Sequence, residues 1–334
     1  MQSNFIFFGS SQLSVGALEA LASQGMTPRI VVTSPDRPAG RRLELTETSV
    51  SKWVKEQNIL REKNLEEEMV ILKPEKFRPM IDELRGLITE EKITFALVAS
   101  YGKILPSFVL DLLPNKVFNI HPSDLPLYRG PSPIESQVLA GLDTITISIM
   151  QLTQDMDAGD VWYKESYPLH IEKEGANIDK LEHDVGYAGG FTFSKVIGKI
   201  LDDELVATPQ DHTQATFTKK YKKQDGNANT LMQAICTLEA KKSSSHIQGF
   251  QRKDLDTHTN TAWNQLYRKY VALTPWPGVF FDYKHPKSGK MLKVKISEMQ
   301  VDPETNIISI TKLTPEGKST QTLPEFENGF GKLF

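Results

Sequence analysis

Asn115-Lys-Val-Phe-Asn-Ile-His-Pro-Ser-Asp-Leu-Pro-Leu-Tyr-Arg-Gly-Pro-Ser-Pro-Ile134 is the stretch that decides how the chain is read. Val117, Phe118 and Ile120 form an apolar run, and Asn119 and His121 sit two residues apart within it. In a strand, residues i and i+2 share a face, so the two polar side chains leave the run together. The Pro- and Gly-rich sequence after His121 stops any strand or helix. Polar residues delivered by a buried strand to a loop are how an open α/β sheet presents chemistry at its carboxyl edge.

The flanking segments fit such a sheet. Phe5–Gly9 is a short apolar run closed by glycine, and Leu13, Val15, Leu18 and Leu21 follow near the spacing of one helix face. Arg29–Thr33, Met69–Leu72 and Phe95–Gly102 read as further strands, and Met80–Glu90 and Leu105–Leu113 as helices. Gly9 and Gly16 stand seven apart, so the G-x-G-x-x-G spacing of a dinucleotide site is missing. Beyond the decisive stretch come a helix over 133–139, a strand over 144–152, the polar turn Thr153–Asp160 and a strand over 161–167. A helical pattern over 178–201 contains Gly186, Gly189 and Gly190, and a bend is expected there. Polar residues 206–223 read as a linker ending in Lys219-Lys-Tyr-Lys-Lys223. Short strand-like runs at 279–283, 291–296 and 307–312, separated by turns, predict a small β-barrel. The expected division is an α/β domain over 1–205, the linker, and a β domain over 224–334.

The chain has 334 residues, 39% hydrophobic and 24% charged, which accommodates two cored domains. No apolar run reaches the roughly 18–20 residues that span a bilayer, and no signal-peptide pattern opens the chain. A single cysteine, Cys236, excludes an internal disulfide and a thiolate metal cluster. A cytoplasmic protein is expected. The net charge of −3 is uneven: residues 1–210 carry 21 basic against 30 acidic side chains, and residues 211–334 carry 18 against 12. A basic C-terminal part points toward an anionic partner, with nucleic acid the first class to consider.

Asn119, His121, Asp157 and Asp160 are the candidate chemical residues. Each also has a plainer reading, as strand-end cap or turn former. As a group they suit acyl transfer to an amine. An Asn amide donates to the developing oxyanion, His passes a proton near neutral pH, and a carboxylate orients the His. Ser123 lacks the elbow motif of a serine nucleophile. The residues alone do not name the substrate.

Asn119-Ile-His121-Pro-Ser-Asp-Leu-Pro-Leu-Tyr-Arg-Gly130, with Asp157-Ala-Gly-Asp160, resembles the signature of the 10-formyltetrahydrofolate-dependent formyltransferases. Asp36-Arg-Pro-Ala-Gly-Arg41, Ser100–Pro106, Ala215–Lys220 and Pro275-Trp-Pro-Gly278 resemble, more narrowly, the members acting on methionyl-tRNA. The resemblance implies a Rossmann-like, mostly parallel sheet followed by an OB-like barrel. It implies Asn119, His121 and Asp157 as catalytic residues, and Ser123, Asp124, Leu125 and Pro126 as the folate wall. It further implies 10-formyltetrahydrofolate as co-substrate, no metal, and initiator methionyl-tRNA as partner, met by Arg37, Arg41, Arg42, Lys219, Lys220, Lys222 and Lys223. Asp124 departs from the family's usual leucine, and an anion beside a folate needs an explanation. The alternatives are formylation of an amino-sugar nucleotide, a tRNA-binding protein with a silent catalytic domain, and a deformylating hydrolase.

Overall fold

The structure is a computed structural model and describes residues 4–39, 44–173, 175–241, 250–251, 262–305 and 307–333. Its elements run β1 (Phe5–Gly9), α1 (Gln12–Ser23), β2 (Ile30–Val32), β3 (Arg37–Ala39), β4 (Glu44–Thr46), α2 (Ser49–Lys63), β5 (Val70–Leu72) and α3 (Ile81–Glu90). They continue with β6 (Phe95–Ala99), α4 (Ser107–Leu110), β7 (Val117–His121), α5 (Pro133–Leu139), β8 (Thr144–Gln151), β9 (Val161–Pro168) and α6 (Ile178–Leu201). The C-terminal elements are α7 (Asn229–Lys241), β10 (Phe250–Gln251), α8 (Ala262–Leu273), β11 (Val279–Lys284), β12 (Met291–Val301), β13 (Ile307–Pro315), β14 (Gln321–Thr322) and α9 (Leu323–Phe330). The chain divides into two compact units, one of residues 1–133, 144–168 and 179–219, the other of 134–143, 169–178 and 220–334.

The first unit is built on a seven-stranded sheet in the order β5-β2-β1-β6-β7-β8-β9. β5, β2, β1, β6 and β7 are mutually parallel, and β8 and β9 are antiparallel additions at one edge. Strand order turns back between β1 and β6, the switch point where open α/β sheets form their crevice. The turn into α1 is closed there by hydroxyls. Ser11 Oγ accepts from the Leu13 amide, and Ser14 Oγ donates to the Ala99 carbonyl at the end of β6 (2.6 Å).

All of β7 is buried, and its alternation assigns the faces. Phe118 meets the Phe95 and Phe193 rings at centroid distances of 6.1 and 6.0 Å, and Ile120 lies against Gly189 of α6. Asn119 and His121 therefore point from the opposite face. This aromatic layer anchors the strand that carries both polar side chains.

α6 runs unbroken through its glycines for 24 residues. Gly186 and Gly190 let the α1 and α6 backbones touch, and Gly189 admits the Ile120 side chain. A Cβ on Gly186 would fall 2.0 Å from the Leu13 carbonyl oxygen, and one on Gly16 would fall 2.0 Å from that of His183. The expected linker is also more than a connector. Thr208 exchanges backbone hydrogen bonds with Val161, and residues 216–218 bond Pro126 and Arg129, so this polar segment is a strap of the first unit.

The second unit holds the antiparallel sheet β10-β13-β12-β11, with β14 paired to β13. Val279, Phe281, Val294, Ile296, Ile310 and Leu313 make its core. Arg268 of α8, 4% exposed, donates to the Asp143 carboxylate (2.6 Å) and to the Leu142 carbonyl (3.1 Å), tying residues 134–143 into this unit.

Gly186→Ala is expected to destabilise the protein by about 1–3 kcal/mol, because the added methyl meets backbone that has no rotamer to yield. Gly198→Ala, with open space at its Cβ, should be neutral or stabilising by roughly 0.5–1 kcal/mol. Urea unfolding of the two variants against the parent checks the contrast.

Candidate active site

The loops after β6 and β7 leave the carboxyl ends of their strands, whereas the turn between β8 and β9 starts beside the amino end of β7, where the Leu152 amide donates to the Val117 carbonyl. Gln154 of that turn donates to the Leu105 carbonyl (3.3 Å), and Gly130 of the β7 loop donates its amide to Asp157 Oδ2 (2.7 Å).

Asn119 is 7% exposed and shares a face of β7 with His121. His121 is 4% exposed. Its Nε2 lies 3.1 Å from the Tyr128 carbonyl oxygen. A carbonyl only accepts, so Nε2 carries the hydrogen. That leaves Nδ1 facing Asp157 Oδ1 at 3.7 Å, too long for a hydrogen bond and close enough for charge to matter.

Asp157 has φ +49°, in the left-handed region, which costs a residue with a Cβ about 1–2 kcal/mol. Its contacts hold it there. Oδ2 takes the Gly130 amide, and its carbonyl accepts from Gln210 Nε2 (2.9 Å). Gly159 belongs to the same turn, and a Cβ on it would lie 1.9 Å from the Gln151 carbonyl oxygen, so the turn closes against β8 only with glycine there. Asp160 keeps to structure, its carbonyl accepting from the Gln151 amide.

The loop 123–126 presents shape more than functional groups. Ser123 is fully buried and donates its hydroxyl to the Leu127 carbonyl (2.6 Å). Leu125 is 1% exposed and packs with Met150 and Val161. Pro126 borders a cleft of about 460 Å³ that Trp162, Lys164, Pro209 and Gln210 also line. Asp124 finds its partner across the sheet, Lys164 of β9, at 2.6 Å, and the same ammonium donates to the Leu125 carbonyl. The odd anion is thus turned to a surface cation.

Of the proposed nucleic-acid contacts, Arg37 is exposed and paired with Glu75 (2.6 Å). Arg41 and Arg42 lie outside the described residues. Lys219, Lys220, Lys222 and Lys223 are all exposed. Trp276 of the Pro-Trp-Pro-Gly block is 67% exposed. Tyr101, after β6, is 2% exposed among Phe8 and Phe77, and burial pushes its phenol well above the usual range.

Sequence reasoning passed over Arg129 and Gln210. Arg129 is 4% exposed and donates through Nε and Nη2 to Gln210 Oε1 (3.2 and 2.6 Å) and through Nη2 to His212 Nδ1 (3.0 Å). Its place inside the signature block was the available signal. Gln210 stood in polar sequence that carries no periodicity.

The arrangement offers an amide, an imidazole of assigned tautomer and a carboxylate 3.7 Å from it. Together these suit stabilising an oxyanion while a proton moves. Residues 1–190 match the family model described as formyl transferase. A methionyl-tRNA formyltransferase of Chloroflexus aggregans is 36% identical over 232 residues, covering 69% of this chain and 70% of that protein. One from Campylobacter lari is 27% identical over 98% of this chain and 96% of its own length. Among solved structures, methionyl-tRNA formyltransferase from Clostridium thermocellum shares the fold at a TM-score of 0.50, with 14% identity over 96% of this chain and 99% of that one. With a family model covering more than half of its length and relatives of this similarity, the chain belongs to the formyl transferase family.

Proposed function

We propose that this protein transfers a formyl group from 10-formyltetrahydrofolate to the α-amino group of initiator methionyl-tRNA, in the cytoplasm. The observation that carries the reading is the placing of His121 and Asp157 3.7 Å apart, with Asn119 on the same face of β7 as His121, in a chain whose relatives are named for this reaction. The bound folate supplies the formyl group and a leaving nitrogen. The Ser123–Pro126 loop contributes a wall of fixed shape to its pocket.

The methionyl amine attacks the formyl carbon directly, and no covalent enzyme intermediate is needed. An α-amino group, with a pKa near 7.7–8.0, is partly neutral at working pH and requires no strong base. As the new carbon–nitrogen bond forms, charge gathers on the formyl oxygen, and the Asn119 amide donates to it. His121 takes the proton that the attacking amine loses, and Asp157 balances the imidazolium so formed across the 3.7 Å gap at Nδ1. The same proton then passes to the leaving nitrogen as its bond to the formyl carbon breaks. Tyr128's carbonyl keeps the ring from turning. On this reading the exposed lysines at 219–223, with Arg37, Arg41 and Arg42, meet tRNA phosphates, which position the acceptor end and specify little.

The decisive assay combines the purified protein, 10-formyltetrahydrofolate and charged initiator tRNA, and measures N-formylmethionyl product. Product from an amino-sugar nucleotide and none from the tRNA would overturn the reading in favour of the sugar alternative. His121→Ala should lower turnover about 10²–10⁴-fold, and Asn119→Ala about 10²–10³-fold, with tRNA affinity nearly unchanged in both. Near-parent turnover in either would remove that residue from the mechanism. Replacing Lys219, Lys220, Lys222 and Lys223 with alanine should weaken tRNA binding and flatten its dependence on salt, by about 0.9 in log–log slope for each phosphate no longer engaged. An unchanged slope in a binding titration would take the lysines off the interface.

A further inference from the structure

Gln210 belongs to the strap, yet its side chain is spent on the candidate site. Nε2 donates to the carbonyls of Asp157 (2.9 Å) and Gly159 (2.6 Å), and Oε1 accepts twice from Arg129. A primary amide has two donor hydrogens and two acceptor sites, so its capacity is filled. The direction is also settled by chemistry. A guanidinium only donates, so the amide oxygen faces Arg129 and the nitrogen faces the two carbonyls.

Arg129 is held in turn. Its amide donates to the Thr216 carbonyl, its carbonyl accepts from the Thr218 amide, and Nη2 meets His212. A buried guanidinium is costly, and this one is directed at a neutral amide and an imidazole rather than a carboxylate. Beside Gln210 lies the 460 Å³ cleft, so an amide released by Arg129 has room to swing away. Arg129 closes off that alternative.

We infer that Gln210 is a positioning residue for formyl transfer, oriented by Arg129, and that it sets the Asp157 carboxylate against His121 by clamping the backbone of the 157–159 turn. The inference rests on the catalytic roles proposed above for His121 and Asp157. Asp157 Oδ1 stands 3.7 Å from the imidazole with no direct bond to fix that separation, so the separation follows from the Gly130 amide on Oδ2 and from where the turn is held. An error of about 1 Å in such a geometry costs up to roughly 100-fold in rate. Neither Gln210 nor Arg129 is assigned a contact with the reacting atoms, so their effect should fall on turnover and spare binding.

The test is steady-state kinetics on the full chain with 10-formyltetrahydrofolate and methionyl-tRNA. Gln210→Glu keeps the volume and both acceptor contacts to Arg129 but has no N–H for the two carbonyls. Its kcat should fall by about 10–100-fold, with KM for each substrate within about threefold and thermal unfolding close to the parent's. Gln210→Met, of similar volume, should show the same split and covers the case in which the glutamate variant folds poorly. Arg129→Ala should reproduce the loss, and Arg129→Lys should recover part of it. The double variant Arg129→Ala/Gln210→Glu should be little worse than the poorer single, because both changes break one link. A Gln210→Glu enzyme with kcat within twofold of the parent, a matching rise in KM, or losses that multiply in the double variant would overturn the inference. A parent enzyme inactive on methionyl-tRNA would instead refute the reaction on which it rests.

Discussion

The hydrogen bond from the Gly130 amide to Asp157 Oδ2 is the contact around which the candidate site is arranged. It joins a charged acceptor to a backbone donor at 2.7 Å, the stronger kind of hydrogen bond. Two residues earlier, the carbonyl of Tyr128 takes the Nε2 hydrogen of His121. The imidazole and the carboxylate are thus both referenced to one short piece of backbone, Tyr128–Gly130. Their separation is a property of that piece, since no bond joins them directly. The piece itself is laid against the strap through the Arg129–Thr216 and Thr218–Arg129 backbone bonds. A segment far along the chain therefore bears on the distance between His121 and Asp157, and it touches the second of them through Gln210.

The same loop shows how a local oddity resolves at long range. Asp124 in a prospective folate wall is puzzling when only its neighbours are considered. Lys164, forty positions on, meets it from β9 and also holds the Leu125 carbonyl. Both side chains are substantially exposed, so the pair adds little to stability. Its consequence is orientation: the carboxylate is turned toward a cation on the neighbouring strand.

What was legible in sequence followed from periodicity. The two-residue spacing of Asn119 and His121 gave their common face, and the apolar runs at 5–9, 29–33, 69–72 and 95–102 became strands of one sheet. The strap was not legible, because it is bound by backbone hydrogen bonds and by polar side chains such as Gln210, Thr216 and Thr218, and these leave no hydrophobic pattern. Its single proline, four threonines and two glutamines have the composition of a connector. The α6 glycines were visible, but their meaning depends on a partner helix more than 160 positions away: a glycine that bends and a glycine that admits another backbone look alike in one dimension. Arg129 was quoted inside the signature and given no role, since nothing in the local sequence says that a guanidinium will be buried against Gln210.

The distribution of burial separates two kinds of electrostatics. His121 and Arg129 are less than a tenth exposed, and their hydrogen bonds to Tyr128 and Gln210 are directional and largely sheltered from salt. The lysines at 219–223 are exposed, and charges of that kind are screened beyond about 8 Å at physiological ionic strength. On the proposed reading, attraction of a polyanion and chemistry on its terminal amine therefore respond to different variables. Salt acts on the first, whereas the second depends on the Tyr128–Gly130 backbone and the strap that holds it. The strap leads at its end into those lysines, so one stretch of chain connects the surface that would gather the substrate to the backbone that sets the reacting geometry.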